Sequence, residues 1–99
     1  MPPKNPSSSK VTEVVLRIPA GNVSTYGEIA KVVGVGARYV GWVMSKSADL
    51  PWWRVVNSTG RAHTSAAHVH WDAEGIPHRG ERVVLAECGL DAADLKYLA

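Results

Sequence analysis

Val11, Val14, Val15 and Ile18 recur at the i, i+3, i+4, i+7 spacing of a helix with one apolar face. That spacing predicts an amphipathic helix over residues 10–18. Ser9 is its expected N-cap, and Pro19 with Gly21 stops it. In "VSTYGEIAKVVGVG" the pattern starts again: Thr25 and Glu28 have capping-box spacing, and Ile29, Val32 and Val33 form an inward stripe. Gly34 and Gly36 break it in a short turn, and a further helix begins near Ala37 with Val40, Val43 and Met44 inward. Two short helices joined by a tight glycine-containing turn form a helix-turn-helix pattern.

The polar side of the second of these helices is the more informative one. Arg38, Gly41, Trp42 and Ser45 lie away from the apolar stripe. Glycine inside a helix costs about 1 kcal/mol relative to alanine, so Gly41 implies a close approach, by a neighbouring helix or by a nucleic-acid backbone. Trp42 is expected to pack toward the wing or the first helix. After Pro51, "WRVVNSTGR" is predicted as a strand, a turn at 57–60 and a return strand, a small wing. Adjacent tryptophans on a strand face opposite ways, so one of Trp52 and Trp53 lines a pocket while the other packs in or beside the core. Residues 62–80 read as polar and irregular, residues 80–88 as a helix ending at Gly89, and "LDAADLKYLA" as a terminal helical turn.

Composition narrows the class. A chain of 99 residues with 45% hydrophobic and 20% charged residues is one ordinary globular domain. Residues 1–9, "MPPKNPSSS", are expected to be a disordered tail, with the domain over 10–99. Four Trp and three Tyr with no Phe suit a surface that stacks on a ligand. The net charge of +2 is uneven: residues 1–46 carry six Lys/Arg against two acids, and residues 47–99 five against seven. A basic half points to a polyanion or is an unevenly solvated surface. A single cysteine excludes an internal disulfide and a multi-cysteine zinc site, and fits a reducing cytoplasm. No apolar run approaches membrane-spanning length, and no charged-then-apolar leader opens the chain. His68 and His70 with His63 could ligate a metal, but nothing supplies an acidic or thiolate partner at familiar spacing, so neither metal nor cofactor is expected.

Three stretches, "GNVSTYGEIA", "GARYVGWVM" and "PWWRVVNSTG", occur in this order and spacing. Together they resemble the DNA-binding domain of the O6-alkylguanine-DNA alkyltransferases over residues 10 to about 61. In those enzymes the third stretch reads Pro-Cys-His-Arg-Val, and the cysteine takes the alkyl group. Here Trp52 stands at the cysteine's position. That departure resembles the alkyltransferase-like proteins, which bind alkylated guanine without repairing it and hand the lesion to nucleotide excision repair. Those proteins usually keep the following histidine, whereas this chain has Trp53.

The resemblance implies a mainly α fold with a small β wing, a winged helix-turn-helix DNA-binding domain. It implies a monomer that binds double-stranded DNA containing O6-alkylguanine, with nucleotide excision repair proteins as further partners. The compartment is then the cytoplasm, at the nucleoid in a bacterium. It carries over a set of DNA- and lesion-binding residues: Tyr26 against the flipped nucleotide's phosphate, Arg38 in the gap the nucleotide leaves, and Gly41 and Ser45 on the helix in the minor groove. Pro51 and Trp52 line the pocket, and Arg54 ties the site to nearby carbonyls or contacts a phosphate. Alkyl transfer needs a soft nucleophile and a base. Indole is not such a nucleophile, and Trp53 removes the adjacent histidine. Cys88 is expected to be a small buried hydrophobe. Two rivals remain at this point. A winged-helix transcription regulator would need more base-reading side chains than Arg38 and Ser45. A methyltransferase homologue with a displaced nucleophile would need Cys88 in the pocket.

Overall fold

The computed structural model describes residues 6–98. Its first element is α1 (Pro6–Arg17), which begins earlier than the apolar pattern predicts. Residues 6–9 of the expected tail are therefore helical, and the remainder of that tail lies outside the described residues. Pro6 stands at the first helical position, where its missing N–H is no loss. Ser9 is inside the helix rather than its cap, and Thr12 Oγ1 donates to Ser8 O at 3.2 Å.

The helix-turn-helix pattern forms as predicted, with α2 (Tyr26–Val33) and α3 (Ala37–Ser45). Thr25 caps α2 by accepting from Glu28 N. The reciprocal half of the box is absent, because the Glu28 carboxylate instead takes the Ala92 N–H and pairs with Lys31 at 2.7 Å. Gly34 ends α2 in the left-handed conformation (φ 86°), which a side chain would resist. Val11, Val14, Val15, Ile18, Ile29, Val40, Val43 and Met44 then bury their stripes against one another.

The wing differs from the prediction. Residues 52–54 form a single 3₁₀ turn, not a strand. β2 (Val55–Val56) pairs in parallel with β1 (Val23–Thr25), and β1 pairs in parallel with β5 (Gly89–Leu90), so the sheet runs β2-β1-β5. The turn at 57–60 is real: Gly60 N donates to Asn57 O, while Asn57 Oδ1 accepts from Thr59 and Arg61. The chain does not return along β2, however. Gly60 (φ 90°) lies against Val83, whose carbonyl would be 2.6 Å from an added Cβ, and Gly60 O accepts from Val83 N. The wing-like hairpin is later, β3 (His78–Arg79) with β4 (Arg82–Val83).

Two further corrections concern the second half. Residues predicted as irregular contain α4 (Ala67–Glu74), and the helix predicted over 80–88 shrinks to α5 (Leu85–Cys88) behind β4. α6 (Ala92–Tyr97) closes the fold, with Asp91 and Asp94 forming a full capping box. Val55 joins the helical core, whereas Val56 and Val23 join a second cluster with Ala67, Trp71, Ile76, Val83 and Cys88. The alternation of side chains along β2 thus fastens the two cores to each other. No helix among the described residues is long and apolar enough to cross a membrane.

Candidate nucleic-acid interface

α3 turns its apolar residues to the core and leaves the opposite face bare. Arg38, Trp42, Ser45 and Lys46 are exposed, and Arg38 makes no hydrogen bond or ion pair with a described residue. A Cβ added at Gly41 would meet nothing within 4 Å, so no neighbouring helix explains this glycine. Trp42 is 56% exposed, more open than the expected packing toward the wing or the first helix of the pair would leave it. Its contacts are with its own helix: Tyr39 at 5.9 Å between ring centroids, and the Lys46 ammonium 5.9 Å from its ring. Ser45 Oγ donates back to Trp42 O at 2.7 Å. Tyr26, the first residue of α2, is half-buried, and that burial pushes its phenol pKa up, keeping it a neutral donor.

The turn carrying Pro51, Trp52 and Arg54 is built differently. Three residues per 3₁₀ turn send the two tryptophans apart by far less than a strand would, and their rings meet edge to face at 5.8 Å. Both are half-buried. Trp53 Nε1 donates to Glu74 Oε2 at 2.8 Å, and Trp71 Nε1 donates to Trp53 O at 2.7 Å. Arg54 holds the same carboxylate through Nε and Nη2, with Nη2 at 2.7 Å, and spends Nη1 on Ile18 O at 3.0 Å. Glu74 also accepts from Gly21 N at 3.2 Å. One carboxylate therefore joins α4, the 3₁₀ turn and the loop after α1. Burial alone would raise its pKa, but the hydrogen bonds from Arg54, Trp53 and Gly21 outweigh burial and hold it below the usual carboxylate range.

Trp52 faces two imidazoles. Its ring centroid is 4.9 Å from that of His63 and 5.5 Å from that of His70, and His70 stacks on Trp53 at 3.9 Å with planes 10° apart. Replacing the histidine after Trp52 therefore did not clear imidazole from the site; two arrive from distant positions in the chain. A cleft of about 220 Å³ opens beside His63, lined also by Arg61, Thr64, Ser65 and Trp71. His68 is directed elsewhere, toward Trp71 and His78. Among the described residues no trio of His, Cys, Asp or Glu is grouped to hold a metal ion. Cys88 is buried, donates to Val84 O, and has its thiol pKa raised by burial.

Reading the sequence misses Glu74 and names His63 and His70 only as metal candidates, not as neighbours of Trp52. Each lies in a polar segment without apolar periodicity; α4 carries His70 and Glu74 to the two tryptophans, and the loop before it carries His63.

Residues 6–79 match the family model of the 6-O-methylguanine DNA methyltransferase DNA-binding domain. A solved structure of Schizosaccharomyces pombe Atl1, in complex with damaged DNA containing O6-carboxymethylguanine, superposes with a TM-score of 0.78 at 32% identity. The match covers 91% of this chain and 99% of that one. The chain belongs to the alkyltransferase-like family. Alkyltransferase-like protein 1 of S. pombe is 49% identical to it over 57 residues, which is 52% of this chain and 53% of the relative. A DNA base-flipping protein of Vibrio parahaemolyticus is 46% identical over 57 residues, covering 52% and 57%. This alkyltransferase-like chain thus spans about half the length of the curated relatives it matches. Its mainly helical fold with a small sheet is the helix-turn-helix type of that family.

Proposed function

We propose that this protein binds duplex DNA carrying O6-alkylguanine through the minor groove and turns the modified nucleotide out toward Trp52. It leaves the alkyl group in position and marks the lesion for nucleotide excision repair. The observation that carries this reading is Trp52 at the nucleophile's position, flanked by the rings of His63 and His70, in a fold whose α3 leaves Arg38 exposed and without a described internal partner. Extrusion costs a few kcal/mol, less where O6 alkylation has already weakened pairing. Arg38 is free to enter the vacated stack, and its planar guanidinium can hydrogen-bond the orphaned base. Gly41 leaves α3 without a side chain where the narrow groove would press on it. Tyr26 bears on the flipped nucleotide's phosphate, Ser45 on the groove wall, and Pro51 on the pocket rim. Arg54 serves by fixing the turn, since Glu74 and Ile18 O take its donors.

Transfer chemistry lacks its acceptor. Imidazole bases stand beside Trp52, but indole carries no ionisable thiol, and the Cys88 thiol is buried and engaged. The test is titration of the protein with duplexes containing G or O6-methylguanine, followed by intact mass. Tighter binding to the methylated duplex with unchanged protein mass is expected. Equal affinities, or a gain of one methyl group, would overturn the proposal.

A further inference from the structure

Of the four tryptophans, Trp71 is buried, Trp52 and Trp53 are half-buried, and Trp42 alone stands mainly in solvent. Its place on α3 is specific. Four residues of helix advance the chain by about 6 Å and slightly more than one turn. Trp42 therefore lies one turn beyond Arg38 on the same face, next to the open side of Gly41. The indole is held there by its own helix, between the Tyr39 ring and the Lys46 ammonium. Its Nε1 donates to no described residue. The Ser45 hydroxyl, by contrast, is engaged on Trp42 O. Beyond backbone contacts, this face thus offers a guanidinium and an indole. The surroundings are basic: no acidic residue occurs between Glu28 and Asp49, and Arg38 and Lys46 stand on either side of Trp42 along the helix. A large apolar ring framed by cations fits a partner with an apolar interior between two rows of negative charge. Stacked bases between phosphate backbones are such a partner, and they continue the interface that Arg38 begins.

We infer that Trp42 is a second wedge, which enters the minor groove beside the lesion, unstacks a flanking base step and bends the duplex there. The deformability of that step then helps determine which lesions are bound. The inference rests on the lesion-binding reading above and adds a specificity-determining residue to it. Minor-groove proteins insert apolar side chains between base steps and kink the duplex by about 20–90°. Arg38 and Trp42 divide the task. The guanidinium fills the gap, and the indole, about 6 Å along the helix, meets the duplex one or two steps away at about 3.4 Å per step. Stacking on an indole tolerates any base, but the cost of opening a step depends on its sequence. Pyrimidine–purine steps kink readily, whereas A-tracts are stiff. A helix poor in base-reading side chains thereby gains a preference for sequence context through the energy of bending.

The experiment uses the full chain and end-labelled duplexes containing G or O6-methylguanine, flanked on both sides either by TA and CA steps or by A-tracts. Affinity and end-to-end energy transfer, which reads the bend, are measured together. The parent chain is expected to bind methylated DNA about fivefold more tightly with the flexible flanks than with the stiff ones. Trp42→Ala should weaken binding to the flexible methylated duplex about tenfold, the worth of one stacked base, and bring the two flanking contexts together. It should also straighten the bound duplex. Trp42→Phe, which keeps an apolar wedge, should retain both the bend and the preference. Because the ring stands mainly in solvent, the urea midpoints of both variants should match that of the parent, which separates loss of the wedge from loss of the fold. A bend and a flank preference that survive Trp42→Ala, while methylated DNA still outbinds G, overturn the inference, leave the exposed ring to a protein partner and keep the lesion-binding reading standing. Equal binding of methylated and unmodified duplexes by the parent chain overturns both.

Discussion

Arg38 and Arg54 carry the same guanidinium and are used in opposite ways. Arg54 has a side chain only 18% exposed, facing Glu74 at 14%, and its donors are taken up inside the molecule. Arg38 projects from α3 with no internal partner. The same division runs through the surrounding residues. Around Glu74 every polar contact is internal, and the result is a rigid frame. Along α3 the polar contacts stay within the helix itself, Ser45 on Trp42 O and Lys46 over the Trp42 ring, with Gly41 open and Trp42 half in solvent. A frame gains by pairing its charges. A docking face gains by leaving them for the partner, because a charge already paired must be pulled apart before it can bind.

The largest effect expected from this contrast is at the frame. Glu74→Ala leaves Arg54 in a poorly solvated site and Trp53 Nε1 without its acceptor, and should destabilise the fold by about 2–4 kcal/mol in urea unfolding. A loss below about 0.5 kcal/mol, the range of ordinary surface changes, would mean that Glu74 is no keystone. The same carboxylate sets an acid limit. Its folded pKa is lowered, so its contribution to stability is complete above the ordinary carboxylate value of about 4.3 and lost as pH falls through the lower folded value. Glu74→Gln should remove that component of the acid transition.

At the docking face the expectation reverses: binding suffers and stability does not. Arg38→Ala should cut the preference for alkylated over normal DNA about tenfold, through an unfilled gap in the stack, while unfolding stays within about 0.5 kcal/mol of the parent. Equal weakening on both duplexes would make Arg38 an ordinary phosphate contact. Gly41→Ala sharpens the contrast, since the two readouts should move in opposite directions. The added methyl meets open space in the free protein, so α3 gains about 0.5–1 kcal/mol, whereas DNA affinity falls. Unchanged affinity would show that nothing approaches α3 there. The smallest effect is expected for Lys46→Ala: a modest, sequence-independent weakening and a salt slope shallower by about one.

The comparison also separates what is legible in the residues from what is not. The helical core around α1, α2 and α3 follows from Val11, Val14, Val15, Ile29, Val40 and Met44, because their spacing alone puts them on common faces. The exposure of Arg38 and Ser45 follows from the same periodicity. Trp42 does not, since periodicity assigns a face but cannot say whether another element covers it. In the second cluster the pattern fails. α4 contributes Ala67 and Trp71 to the core from a histidine-rich stretch whose helical face is mostly polar. The wing is misassigned because Val55 and Val56 suit any strand, and the choice of a parallel partner depends on β1 lying beside them.

By itself, then, the sequence determined the helix-turn-helix unit, the resemblance carried by its three stretches, and the tryptophan at the acceptor's position. All of these rest on near neighbours in the chain or on residue identity. Only the tertiary structure decided that Trp53 and Arg54 share Glu74, that His63 and His70 surround Trp52, and that the hairpin lies at 78–83. Those contacts join residues far apart in the chain, and their partners are polar side chains with no periodicity of their own. Their pairing is fixed by burial, which requires each hidden donor and acceptor to find a partner once the two cores have closed.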